Sequence, residues 1–203
     1  MSKIIVKKSS PLSGNVFCSG SKNAALPILA STILTCGKSV LHNIPDLSDT
    51  SHMLSILSEL GAVCSREKGC VTVDFSDCRG FCTPYEHMSK FRGSFLLAAP
   101  LLSRMGKARI SMPGGCPIGN RPVDLHLKGF SAMGAEMQNG HGFVELSAKK
   151  LHGAKIYLDF PSVGATENLI MAAALADGDT VIENSAAEPE ISDLADFLNK
   201  CGA

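Results

Sequence analysis

Apolar residues fall along this chain in short bursts whose period alternates between that of a helix and that of a strand, and the alternation itself recurs. Ile4 to Val6 reads as a short strand, Pro11 to Gly14 as a turn, and Val16-Phe17 as a second apolar piece. Ser21 then stands as an N-cap before Ala24, Ala25, Leu26, Ile28, Leu29, Ile33 and Leu34, a series apolar nearly all round and so expected to form a buried helix. Pro27 lies past its first turn and cannot donate to the Asn23 carbonyl, which is left for another partner or a kink. Gly37 closes this helix. Ser39 to His42 follows as a strand, and Asp49 to Leu60 as an amphipathic helix with Met53, Leu54, Ile56, Leu57 and Leu60 inward, capped by Gly61. Ala62 to Ser65 and Val71 to Phe75 are strands around the polar turn Arg66-Glu67-Lys68-Gly69.

The same order then returns. A buried helix from about Ser89 to Arg104 ends at Gly106, Ala108 to Ser111 makes a strand, a loop leads into a helix from Asp124 to Met133 ended by Gly134, and Phe143 to Leu146 closes the pass. A third pass begins at Ser162, with a helix to Ala176, the turn Asp177-Gly178-Asp179, a strand from Thr180 to Glu183 and a helix from Ile191 to Lys200. Gly37, Gly106 and Gly178 lie 69 and 72 residues apart, Gly61, Gly134 and Gly202 73 and 68 apart. Leu60-Gly-Ala, Met133-Gly-Ala and Cys201-Gly-Ala close the second helix of each copy. A unit of about seventy residues used three times implies one repeat-built α/β domain whose units bury their helices against one another. The third copy lacks two closing strands, so a piece of a longer protein is expected, with open strand edges that favour marginal stability or self-association.

At 203 residues and 45% hydrophobic content the chain can bury a substantial core. Nineteen basic residues balance nineteen acidic ones, which excludes a broad electrostatic footprint for nucleic acid or an anionic membrane. Anion binding has to be local. The start, MSKIIVKKSS, lacks the apolar core of a signal peptide, and the stretch from Ala24 to Cys36 is too short to span a bilayer, so a cytoplasmic location is expected. The eight cysteines are then expected as free thiols, most of them small buried apolar residues. There is no CxxC pair, and Cys78-x3-Cys82 has no second pair nearby, so the spacing does not describe a zinc site.

Candidate chemistry gathers at two kinds of place. Helix starts recur at corresponding positions around Ser21-Lys22-Asn23, Lys90-Phe91-Arg92-Gly93 and Ser162-Val163-Gly164, where first-turn N–H groups and the positive dipole end favour anions, with Lys22 and Arg92 adding charge. The loop Pro113-Gly114-Gly115-Cys116-Pro117-Ile118-Gly119-Asn120-Arg121-Pro122 sets a thiol among glycines beside a guanidinium, a composition suited to a lid with fixed ends. Arg121 draws the Cys116 pKa down from about 8.5, leaving two roles open, nucleophile or general acid. His126, inside the following helix, does not make a protease-like dyad with it.

Gly20-Ser21-Lys22-Asn23-Ala24-Ala25, Pro113 to Cys116 with Arg121-Pro122-Val123-Asp124-Leu125, and Ser162-Val163-Gly164-Ala165-Thr166-Glu167-Asn168 closely resemble the UDP-N-acetylglucosamine 1-carboxyvinyltransferases, the enolpyruvyl transferases of the first committed step of bacterial peptidoglycan synthesis. The likeness covers essentially the whole chain and only the N-terminal half of such enzymes. It implies an inside-out α/β barrel domain of pseudo-threefold β-α-β-α-β-β repeats, near residues 21–80, 81–150 and an incomplete 151–203, with residues 1–20 as strands of an otherwise missing second domain. It implies transfer of enolpyruvyl from phosphoenolpyruvate to the 3′-hydroxyl of UDP-N-acetylglucosamine with release of phosphate and with no metal or other cofactor. By matching motifs Cys116 would protonate the phosphoenolpyruvate methylene and be the target of fosfomycin. Lys22 and Arg121 would hold phosphate and carboxylate, Asn23 the sugar, and Arg92 the nucleotide-sugar side. Arg121, Pro122, Val123, Asp124 and Leu125 with Ser162, Val163 and Gly164 would contact uridine and diphosphate. The presumed base, an Asp, lies in the missing half, so this chain is expected to need that half as a partner and to lack turnover alone. Alternatives are the shikimate 3-phosphate enolpyruvyl transferases, whose members lack the Gly-Gly-Cys loop, and a non-catalytic nucleotide-sugar-binding domain or truncated product.

Overall fold

The computed structural model describes residues 3–77, 79–83, 92–111 and 123–203, with Arg92 described by its backbone alone. The first unit comprises α1 (Lys22–Ser31) extended by a 3-10 turn at Thr32–Leu34, β1 (Lys38–Leu41), α2 (Ser48–Glu59), β2 (Val63–Glu67) and β3 (Cys70–Asp74). In the second, a 3-10 turn at Arg92–Leu97 runs into α3 (Ala98–Met105), followed by β4 (Lys107–Ser111), α4 (Asp124–Ala132), β5 (Glu136–Asn139) and β6 (Phe143–Ser147). The third has β7 (Lys155–Tyr157), α5 (Val163–Ala173), β8 (Val181–Glu183) and α6 (Pro189–Lys200).

Each unit makes its own sheet. In the first two the last strand is central and all named pairs are antiparallel, in the orders β1-β3-β2 and β4-β6-β5, with Val40 opposite Thr72 and Ile110 opposite Val144. In the third, β7 and β8 pair in parallel. The second unit has a counterpart of β7 in Phe81–Thr83. Arg109 donates its N–H to the Phe81 carbonyl at 2.8 Å and Thr83 donates to the Arg109 carbonyl at 3.0 Å, a parallel bridge on the edge of β4. The second unit thus shows the whole β-α-β-α-β-β order.

The helices fill the centre because three of them have no polar face to give to water. Leu29 and Ile33 from the first unit, Leu97, Leu101 and Leu102 from the second, and Leu169 and Met171 from the third are essentially inaccessible. α1 packs on α2 and α6, α3 on α5, and α5 also on α4 and α6. The sheets lie outside, their inward rows supplied by Val71, Val73, Val144 and Leu146. One cation ties two units together: Arg104 on α3 donates to the carbonyls of Ile33 at 2.7 Å and Thr35 at 2.9 Å, which the end of the first buried helix leaves open, and to that of Phe75 at 2.8 Å, directly after β3. Among the described residues no helix is long and apolar enough to cross a membrane.

The Gly-Ala pairs impose the same reversal three times. Gly61, Gly134 and Gly202 have φ of 109°, 90° and 100°, the left-handed region that glycine enters without strain. The next alanine then donates back to the closing turn: Ala62 to Leu57 at 2.9 Å, Ala135 to Phe130 at 2.9 Å and Ala203 to Leu198 at 3.1 Å. Gly106 and Gly178 are also left-handed, whereas Gly37 is not.

Several expectations change. Ile4 to Val6 and Val16-Phe17 form no strand, and residues 3–19 are all exposed, because a strand needs a neighbouring edge and these find none in the chain. The six described cysteines are free but not buried: Cys18, Cys36, Cys82 and Cys201 are exposed, Cys64 and Cys70 intermediate, since they occupy loops, strand ends and a helix cap. Cys78 and Cys116 lie outside the described residues, as do Ser89 to Phe91, where the second buried helix was expected to begin. Two strands carried no sequence signal. β5 is exposed throughout, so it has no alternation, and β7 has a single buried residue, Ile156. The last helix starts at Pro189, two residues before the expected Ile191, because proline suits the first helical position.

Candidate functional site

Ser21 and Ser162 cap α1 and α5 in the same way. Each hydroxyl accepts from the N–H three residues on, Ala24 and Ala165, both at 3.4 Å. The N–H groups of Lys22 and Asn23, and of Val163 and Gly164, therefore sit in the first turn, ahead of the regular helical bonds that begin with Ala25 to Ser21 at 3.0 Å and Thr166 to Ser162 at 2.9 Å. Such first turns carry the positive end of the helix dipole.

The side chains at the α1 start are already engaged. The Lys22 ammonium lies 3.0 Å from Asp49 in the first turn of α2, and the Asn23 amide nitrogen donates to Glu190 in the first turn of α6 at 3.4 Å. Three helix starts, α1, α2 and α6, thus meet at one corner. The lysine is half exposed, so its pair with Asp49 is weak enough to be exchanged for a bound anion.

A second corner joins α4 and α5. Val123 caps α4 and is buried with Leu125, while Asp124 between them is exposed. Gly164 lies so close to α4 that a Cβ there would be 3.4 Å from His126 Cε1 and 3.7 Å from Nε2. The His126 ring meets Phe95 edge-on, with centroids 5.0 Å apart, and burial pushes its pKa down to about 4, so it is neutral at physiological pH. Asn168 on α5 contacts the same ring. Its neighbour Glu167, also buried, is pushed up to about 8, by desolvation first and by Glu190 and Glu188 next, so its carboxyl stays protonated at neutral pH. α6 links the two corners, bonding Asn23 through Glu190 and packing on α5.

Of the residues singled out from sequence, Lys22 and Asn23 share one corner, and Val123, Asp124, Leu125, Ser162, Val163 and Gly164 share the other. Arg92 begins the 3-10 turn that packs on α1 and α5. Cys116, Arg121 and Pro122 lie outside the described residues. Asp49, Glu190, His126, Glu167 and Asn168 were not assigned to the site from sequence, although Glu167 and Asn168 stand out as polar residues in the apolar run from Ala165 to Ala174. Among the described residues no group of His, Cys, Asp and Glu side chains is arranged to hold a metal ion.

A family model described as EPSP synthase (3-phosphoshikimate 1-carboxyvinyltransferase) matches residues 6–203. The chain belongs to this enolpyruvyl transferase family. UDP-N-acetylglucosamine 1-carboxyvinyltransferase 1 of Caldanaerobacter subterraneus is 55% identical over 99% of the chain and 48% of its own length. UDP-N-acetylglucosamine 1-carboxyvinyltransferase 2 of Carboxydothermus hydrogenoformans is 54% identical over 100% of the chain and 48% of its own. The chain thus spans about half the length of the curated relatives it matches. Among solved structures, the enolpyruvyl transferase NikO from Streptomyces tendae superposes with a TM-score of 0.81 over 93% of this chain and 44% of that one, at 24% identity. An EPSP synthase from Acinetobacter baumannii gives 0.70 over 88% and 42%, at 17% identity. These likenesses establish the fold of an enolpyruvyl transferase domain for this chain, with central helices and outer sheets.

Proposed function

We propose that this chain is the N-terminal half of a UDP-N-acetylglucosamine 1-carboxyvinyltransferase, in which residues 21–203 form the first domain and residues 1–20 join the second. The observation that carries the reading is the 55% identity to a protein of that name over 99% of the chain. In this reading Cys116 gives a proton to the methylene carbon of phosphoenolpyruvate, the neighbouring carbon becomes electrophilic, and the 3′-hydroxyl of UDP-N-acetylglucosamine adds there. The tetrahedral adduct then loses phosphate and a methyl proton to restore the enol ether. Lys22 and Arg121 neutralise the phosphate and carboxylate, Asn23 meets the sugar, and Arg92 lines the nucleotide-sugar side. Val123 to Leu125 and Ser162 to Gly164, with Arg121 and Pro122, contact uridine and diphosphate. The capped first turns at Lys22-Asn23 and Val163-Gly164 support such anion contacts chemically. The general base and further cations would come from the other half, making the 203 residues inactive alone, and the setting is the cytoplasmic stage of peptidoglycan synthesis.

Alkylation of the unmodified chain, mapped by peptide mass, tests the reading. UDP-N-acetylglucosamine is expected to slow labelling of Cys116 while leaving exposed Cys36 and Cys82 unaffected. Equal labelling of Cys116 with and without the nucleotide sugar, across pH 6 to 9, would count against it.

A further inference from the structure

Asn168 is a fully buried amide at the crossing of three elements, and each of its polar atoms is committed. Its Oδ1 accepts from the N–H of Ala99, in the first turn of α3, at 3.1 Å. That bond fixes the orientation of the amide, so Nδ2 is the donor on the other side. Nδ2 donates to the Phe95 carbonyl, in the 3-10 turn that Arg92 begins, at 3.2 Å. It also donates to Nδ1 of His126, on α4, at 2.9 Å. A ring nitrogen that accepts carries no proton, so a neutral His126 holds its proton on Nε2. Nε2 and Cε1 are the ring atoms turned toward Gly164 at the start of α5.

We propose that Asn168 is a positioning residue of the nucleotide-sugar site: one amide sets the spacing of the Arg92 turn, the α4 start and the α5 start, and locks His126 as a neutral Nε2–H donor beside Gly164. The proposal rests on the reading of Val123–Leu125 and Ser162–Gly164 as uridine and diphosphate contacts. The chemistry favours an amide at this place over its isostere. A carboxylate could accept from Ala99 but could not donate to the Phe95 carbonyl, and it would draw a proton onto His126 Nδ1. Burial alone depresses His126, with no charged group contributing; the ionisable residues nearest to it along the helices packed there are Asp124 and Lys128 on α4 and Glu167 on α5, and Lys128 is engaged by Asp159.

The test combines nitrogen-15 NMR of the histidine side chains with titration of UDP-N-acetylglucosamine into the 203-residue chain. In the unmodified chain His126 is expected as the Nε2–H tautomer, unchanged down to about pH 5. In Asn168→Asp, with folding checked by circular dichroism, His126 is expected to gain a proton on Nδ1 and titrate near neutrality. Affinity is expected to fall about tenfold and to become pH-dependent between pH 5 and 8, as suits the loss of a buried hydrogen-bond network. An Nδ1–H tautomer in the unmodified chain overturns the proposal without any variant having to fold. Folded Asn168→Asp that binds with unchanged affinity overturns the positioning role alone. Absence of any binding by the unmodified chain, with the tautomer as described, overturns the nucleotide-sugar reading and the role of Asn168 within it.

Discussion

Glu167 stays protonated in the folded chain up to about pH 8, whereas its unfolded counterpart ionises near 4.5. The folded state therefore holds a proton that the unfolded state releases, and stability falls as pH rises between those values and is level above them. His126 acts on the other side. Its folded pKa of about 4 lies below the unfolded 6.5, so the unfolded state takes up a proton first as pH falls, and stability declines from about pH 6.5 down to 4. Together they place the stability maximum between about pH 5 and 6. Replacing Glu167 with Gln is expected to flatten the alkaline limb, making the variant gain on the parent between pH 5 and pH 8 in urea denaturation, at roughly 1.4 kcal/mol per unit of the shift removed. Parallel pH profiles for the two proteins would contradict this. Neither residue's state was legible in the sequence. Both lie in or beside the motifs that carried the family resemblance, but their burial is created by α3, α4 and α6 closing around α5, contacts that no local pattern records.

Helix α4 shows how packing overrides propensity. Ala is the better helix former than Gly by about 1 kcal/mol in an open helix, which by itself would make Gly129→Ala stabilising. A Cβ on Gly129 would, however, collide with both methyls of Leu169, which is completely buried on α5 and has no room to retreat. Overpacking of this kind costs about 1–3 kcal/mol. The expected outcome is a less stable protein in chemical denaturation, with weaker UDP-N-acetylglucosamine binding because the α4 and α5 starts are pushed apart. A more stable Gly129→Ala would show that the two helices do not meet there. On the opposite end, Arg104→Ala strips three carbonyls of their donor and is expected to destabilise by about 2–4 kcal/mol. Lys at this position should recover little, since one ammonium cannot reproduce the planar fork. A melting curve unchanged in Arg104→Ala would refute the cross-unit cap.

At the scale of the molecule the repeat was readable because it is written in local turn chemistry: a left-handed glycine followed by alanine works within six residues and needs no tertiary partner. Strands β5 and β7, and the bridging piece Phe81–Thr83, escaped because their place depends on the edge they join, not on their own alternation. The candidate site was partly readable. Its helix starts carry cap signals, whereas the partners that engage Lys22 and Asn23 sit 27 and 167 residues away. The exposed lead segment has its own consequence. Because residues 3–19 bury no side chain, a chain beginning at Gly20 is expected to melt at the same temperature and, freed of the exposed Ile4, Ile5, Val6, Leu12, Val16 and Phe17, to self-associate less in sedimentation. A lowered melting temperature would mean that the segment is packed after all.

The most direct measurement of the central claim is phosphate release from phosphoenolpyruvate after mixing this chain with a separately made second half of the Caldanaerobacter relative. Neither half is expected to turn over alone, the mixture is expected to release phosphate only when UDP-N-acetylglucosamine is present, and Cys116→Ala in this chain is expected to abolish it. Turnover by the 203 residues alone, or silence from a mixture in which the two halves demonstrably associate, would contradict the assignment.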